Sequence, residues 1–303
     1  MFPSPRILAG RRDDDAASTR GQAQPLVHRL HESPLFSLDG LAELIEHYPR
    51  QHCELTDASP ISANEVREGD IGAASGRAVI EAIEAGSLRL RLRNTQIVDL
   101  SYARLLRGAF GELSDHLSSP RGSGRSMEIV ISSPGAKTRY RATPEGQILW
   151  QIAGAQRALI YPPAPPFVSG DDREAIALAE HGSDMAYQPW YDDHAQALNL
   201  APGQLLHWPP YAPYRVDNDN RLNIAVMMSY ATDEMRRSRI VEAANGALRK
   251  RFGMIPRSRA TTGLAFWGKA AMQRVLANLR FAQRSDAPKR GVDFTLDSGA
   301  HRD

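Results

Sequence analysis

A chain of 303 residues with 42% hydrophobic and 24% charged side chains has the composition of a soluble globular protein with a sizeable core. No apolar run approaches the roughly 20 residues needed to cross a bilayer, and the single cysteine, Cys53, excludes an intrachain disulfide and a multi-cysteine zinc site. The formal net charge of +2 conceals a basic stretch, since between Asp233 and Arg290 fourteen Lys and Arg stand against four acidic residues.

The first 24 residues are polar, carry a run of three aspartates and show no periodicity, so they are expected to be unstructured. They lack the apolar core of a secretory signal, and the expected location is the cytoplasm. In SPLFSLDGLAELIEHYP (33–49), Ser37 is a natural N-cap, Leu38, Leu41, Leu44 and Ile45 form a stripe, and Pro49 stops the helix. QHCELT is a short strand candidate. A second helix runs through SGRAVIEAIEAG, capped by Ser75 and stopped at Gly86. SLRLRLRN (87–94) alternates leucine with arginine, which predicts a half-buried strand with Leu88, Leu90 and Leu92 inward. A third amphipathic helix carries Leu105, Leu106, Phe110, Leu113 and Leu117.

From about residue 127 the pattern changes. Short β-rich runs such as SMEIVISSPG, QILWQIAG, QRALIYPP, GQLLHWPP, YRVDN and RLNIAVMMSYAT alternate with turn residues, and one helix, DDREAIALAEHG, interrupts them. Such spacing predicts an antiparallel sandwich or barrel. Two helices, 233–252 and 263–285, follow. The expected organisation is an unstructured segment 1–24, a barrel unit with N-terminal helices 25–232, a helical segment 233–285 and a polar tail 286–303.

The stretches HRLHESPLFSLDGLAEL (28–44), ISSPGAKTRYRATPEGQILWQIAG (131–154) and LAPGQLLHWPPYAPYRVDN (200–218), with the strand after them, resemble bacterial cupin-like proteins of the JmjC type. These are relatives of the Fe(II)/2-oxoglutarate hydroxylases, and the likeness runs from about residue 26 to 285. It implies a mainly β fold with flanking helices, a double-stranded β-helix (jelly-roll barrel). Active members hold iron with a His and an Asp two residues apart on one strand and a second His on a later strand, and a Lys pairs with 2-oxoglutarate. Laid on this chain, those positions are Arg141, Thr143, Tyr214 and Gln156. A guanidinium has no lone pair for a metal, and a Thr hydroxyl is a poor Fe(II) ligand.

The resemblance therefore implies a protein that keeps the frame of the family without its metal ligands. The expectation is a non-catalytic ligand- or protein-binding, regulatory protein with no cofactor. The four replaced positions would form a polar pocket for a small anion, or Arg141 would be paired internally with Glu145 or another acid and the old site filled. The alternative is a working Fe(II)/2-oxoglutarate hydroxylase with relocated ligands, for which His207, His194 and Asp192 are the candidates. A weaker alternative is a nucleic-acid-binding regulator acting through the basic C-terminal helices, which could also meet an acidic protein partner. Those helices carry surplus apolar positions, Trp267 among them, and the resemblance implies a homodimer built on them; no membrane partner is expected.

Overall fold

The computed structural model describes residues 6–9, 26–58, 67–114, 123–179, 183–284 apart from 255 and 257, and 292–296. Fourteen strands are present among them: β1 (Leu26–Val27), β2 (Cys53–Asp57), β3 (Glu68–Asp70), β4 (Leu88–Leu92), β5 (Ser123–Ser132), β6 (Arg141–Ala142), β7 (Gly146–Ala153), β8 (Gln156–Ile160), β9 (Ser183–Asp184), β10 (Gln196–Leu200), β11 (Gln204–Trp208), β12 (Tyr214–Asn218), β13 (Asn223–Ala231) and β14 (Phe294–Thr295). The helices are α1 (Leu38–Glu46), α2 (Gly76–Ala85), α3 (Thr95–Val98), α4 (Leu100–Leu113), α5 (Gly170–Leu178), α6 (Asp233–Phe252) and α7 (Gly263–Arg284). None is long and apolar enough to cross a membrane.

The strands form two sheets. The larger has the order β1-β11-β7-β13-β5-β4-β2-β3-β14 and the smaller β10-β8-β12-β6-β9, which is the jelly-roll arrangement expected from the sequence. Period-two alternation divides the large sheet into two faces. Ile148, Trp150, Ile129, Ile131, Val226, Met228, Leu90 and Leu92 lie on one face and pack with α1, α2 and α4 in the main core. The opposite face looks toward the small sheet, where Leu149, Leu206, Trp208, Ala158, Ile160 and Val216 fill one end of the barrel.

The helices start where local chemistry says they should. Ser37 and Ser75 accept from the Gly40 and Ala78 amides at 3.1 and 3.2 Å, and Ser169 forms a capping box with Asp172. The third amphipathic helix ends at Leu113; Leu117, expected on its stripe, lies outside the described residues. The segment expected to be unstructured and the polar tail both contribute to the fold. Near the N-terminus Leu8 is buried, bridges His28, and shares the Glu112 carboxylate with the Ile7 amide. In the tail, β14 adds to the edge of β3 in parallel, with Phe294 against Gly69.

Candidate functional site

The alternation that sends leucines of β4 to the helical core sends its arginines to the barrel interior. The sequence reading of this strand took its leucine face as the buried one, and both faces are in fact covered. Arg89 and Arg91 line the lumen together with Glu128, Ser132 and Val130 of β5, Met227 of β13 and Tyr214 of β12. Arg141 of β6 enters from the small sheet and lines the same space.

The lumen has two connected chambers. The inner one, of about 70 Å³, is lined by Arg89, Gln156, Thr138, Asn218 and Asn223. The outer one, of about 410 Å³, opens at Thr143, Glu145, Arg236 and Arg239. Arg91, Glu128, Arg141, Tyr214 and Met227 belong to both. Asn218 ties the sheets together at the inner end, donating to the Ser132 hydroxyl at 2.7 Å and the Ser133 carbonyl at 3.2 Å.

Charge in the lumen is only partly compensated. Arg91 is clamped between Glu128, at 2.8 Å, and Glu54, at 3.2 Å, and the Glu128 carboxylate raises its pKa despite burial. Burial works against the charged form of Glu54, but Arg91 and Arg93 outweigh it and hold the carboxyl below its ordinary range. Arg89 differs. Its guanidinium donates to the Lys137 carbonyl at 3.0 Å and makes no ion pair among the described residues. Burial, with Arg141 and Arg91 nearby, lowers its pKa to about 10. Beside it Gln156 is 5% exposed, and its amide Nε2 has no hydrogen-bond partner among the described residues. A buried, unpaired donor of this kind is costly unless something accepts from it.

All four positions singled out by the resemblance therefore line one cavity. Arg141 and Tyr214 border both chambers, Thr143 the outer and Gln156 the inner. The expected internal pairing of Arg141 is made with another acid than Glu145. Glu145 binds Arg239 at 2.9 Å, and Arg141 Nε lies 3.7 Å from Asp184 on β9. Burial raises the Glu145 carboxyl above its ordinary range, with Arg239 opposing.

The relocated-ligand set is dispersed. His207 sits on β11 between Leu206 and Trp208, which face the lumen, so it points to the opposite side. There its Nε2 lies 2.8 Å from the Tyr230 hydroxyl, and burial lowers its pKa to about 4. His194 is exposed beside Phe167 and Trp190, and Asp192 accepts from the Tyr161 hydroxyl at 2.6 Å and from Arg215 at 3.4 Å. Both belong to the outer layer of the small sheet.

Arg89 and Arg91 were missed as site residues. The available signal was that three arginines alternating with leucines on a strand of a closed barrel must themselves face something buried.

No family model and no curated protein matches the chain. Among solved structures it is similar to E. coli YcfD, with a TM-score of 0.51 at 14% identity, covering 86% of this chain and 64% of that one. The same protein, described as a ribosomal oxygenase, was solved with cobalt and 2-oxoglutarate (TM-score 0.48, 14% identity, 87% and 64% covered). It was also solved with cobalt and succinic acid (TM-score 0.45, 15% identity, 84% and 63% covered). This chain thus spans less than two thirds of the length of these neighbours. Their bound groups overturn the expectation that no cofactor is involved.

The residues present fit the two groups unequally. Arg141 is a permanent cation, the Thr143 hydroxyl donates to the Glu145 carbonyl at 3.2 Å, and Tyr214 packs on Trp208 with ring centroids 5.0 Å apart. Among the described residues no three His, Cys, Asp or Glu converge as metal ligands. The donor set does not fit a metal ion at these positions, whereas Arg89, Arg141 and the Gln156 amide fit an organic acid. The fold itself is established: two sheets, antiparallel except for the β3–β14 pair, with flanking helices make this chain a jelly roll like that of the similar structure.

Proposed function

We propose that this chain binds a small organic acid of the 2-oxoglutarate and succinate class in its barrel lumen. The observation that carries the reading is Arg89, a lumen-facing guanidinium with no ion pair among the described residues, next to the unpaired Gln156 amide. A carboxylate would complete both donors, and charge-assisted bonds of this sort are the stronger ones.

In this reading the four positions that in the JmjC-type family hold metal and 2-oxoglutarate, here Arg141, Thr143, Tyr214 and Gln156, have become walls of an acid-binding pocket. Arg141 adds positive charge, Tyr214 and Met227 give the chamber an apolar flank, and Asn218 holds the sheets at a fixed separation. The site is suited to binding and orienting such an acid. The regulatory role follows as a proposal, since a protein that senses a metabolic acid needs only binding and a responsive surface.

Titration calorimetry of 2-oxoglutarate and of succinate, each with and without Mn(II), tests the reading. Saturable binding is expected, weakened about 10- to 100-fold in Arg89→Met, the range given by loss of a charged hydrogen bond. Absence of saturable binding, or full affinity in Arg89→Met, would contradict it.

A further inference from the structure

Within the polar stretch 286–303 one run, VDFTLD (292–297), alternates apolar Val292, Phe294 and Leu296 with polar Asp293, Thr295 and Asp297, the period of a strand with one buried face. The fold uses it that way. β14 adds in parallel to the outer edge of β3, with Phe294 opposite Gly69 and Thr295 opposite Asp70. The Asp293 amide donates to the Glu68 carbonyl at 2.8 Å and the Leu296 amide to the Asp70 carbonyl at 2.9 Å. The Asp293 carboxylate accepts from the Glu68 amide at 2.7 Å.

The edge of β3 is shaped for this segment. Phe294 and Leu296 pack on the main core, and Thr295 between them is exposed. Gly69 makes room for the aromatic ring, since a Cβ there would collide with Phe294. Arg67 lies over the same ring, its guanidinium carbon 5.4 Å from the centroid. Gly72, at a φ of 57°, lets the segment pass; a Cβ there would stand 2.8 Å from Thr295 Cγ2 and 3.1 Å from the Leu296 carbonyl oxygen. Main-chain pairing combined with seats for alternate side chains is how sheet edges recognise extended peptides. β14 is the last strand of the large sheet, and its departure would leave the β3 edge open to another strand.

We infer that the outer edge of β3 is a docking site for an extended segment of a partner protein, and that residues 292–296 hold it closed as an internal competitor. The segment it fits runs parallel to β3 and carries, in order, an acid, an aromatic ring, a small polar residue and an aliphatic residue. Tethering gives the chain's own segment an effective concentration on the order of millimolar, so a partner enters by making stronger contacts than Phe294 and Leu296 make. The site shares no residue with the lining of the lumen and stands independently of the acid-binding reading.

Fluorescence anisotropy with a labelled peptide GVDFTLDS, titrated with the full chain and with its Phe294→Ala variant, tests the inference. Removing the internal anchor should strengthen peptide binding at least about tenfold, as expected for loss of a tethered competitor. A peptide with its Phe replaced by Ala should not bind the variant. Adding Gly69→Val to Phe294→Ala should abolish binding, because the new side chain fills the seat of the ring. Thermal melts check that the variants fold, and the altered peptide keeps the test decisive if Gly69→Val folds poorly. No saturable binding to Phe294→Ala, equal affinity of the two proteins, or equal binding of the two peptides would overturn the inference. Association of the unaltered chain that Phe294→Ala abolishes would mean that the segment is exchanged between copies, and would overturn the internal competitor.

Discussion

Arg141 and Tyr214 stand directly opposite each other across the β6–β12 ladder, and both border the inner and the outer chamber. Strand register fixes this: one residue of slippage in either strand would turn its side chain out of the barrel. Arg141→Met is expected to weaken succinate binding severalfold, because its charge borders both chambers. Unchanged affinity in calorimetry would take Arg141 out of the binding site.

Gly146 is held to a hydrogen atom by its cross-strand neighbour. A Cβ there would meet the Tyr230 ring at 2.5 Å, and that ring is itself fixed by His207 and packs edge-on against Phe110. Gly146→Ala should therefore cost about 1–3 kcal/mol, the usual penalty for overpacking. Denaturant titration would show a lowered midpoint at an unchanged slope. A midpoint equal to that of the unaltered protein would mean the ring can move aside.

Two histidines make stability depend on pH. Burial, assisted by His31 in the first case, lowers His28 from 6.5 to about 4, and burial alone lowers His207 to about 4. The unfolded chain takes up these protons near pH 6.5 and the folded one only near pH 4. Their contribution is thus present above pH 6.5 and lost as pH falls toward 4. Between pH 6.5 and 5, stability should fall with a slope approaching two protons, and His207→Phe should remove about one of them. An identical slope in the variant would show that His207 is already protonated in the folded protein.

Helix α7 leaves Leu264 and Trp267 92% and 67% exposed, on the segment whose surplus apolar positions suggested a homodimer. We expect the chain to associate through this helix, with the arginines at the rim, because burying like charges against their copies is unfavourable. Light scattering should give twice the 33.4 kDa of the chain and return the single value for Trp267→Glu. A mass of one chain across all concentrations would exclude the dimer.

Much of this architecture was legible in the sequence, because its signals are local. Caps at Ser37 and Ser75, the alternation of β4 and the turn-separated runs after residue 127 each report on a few residues, and the helices and the barrel followed from them. The direction of the β4 arginines was harder to read. Alternation tells two faces apart without saying that both are covered, and only barrel closure puts Arg89 and Arg91 opposite Arg141. His207 could have been assigned from parity, since Leu206 and Trp208 on either side claim the lumen. Distant polar contacts, such as Glu145 with Arg239 or Leu8 with His28, join residues far apart in the chain and leave no local trace.

A crystal structure of the protein grown with succinate would test the central claim most directly. One carboxylate is expected in the inner chamber, within hydrogen-bond distance of the Arg89 guanidinium and the Gln156 amide. An inner chamber holding only solvent, with the acid bound elsewhere or not at all, would contradict it.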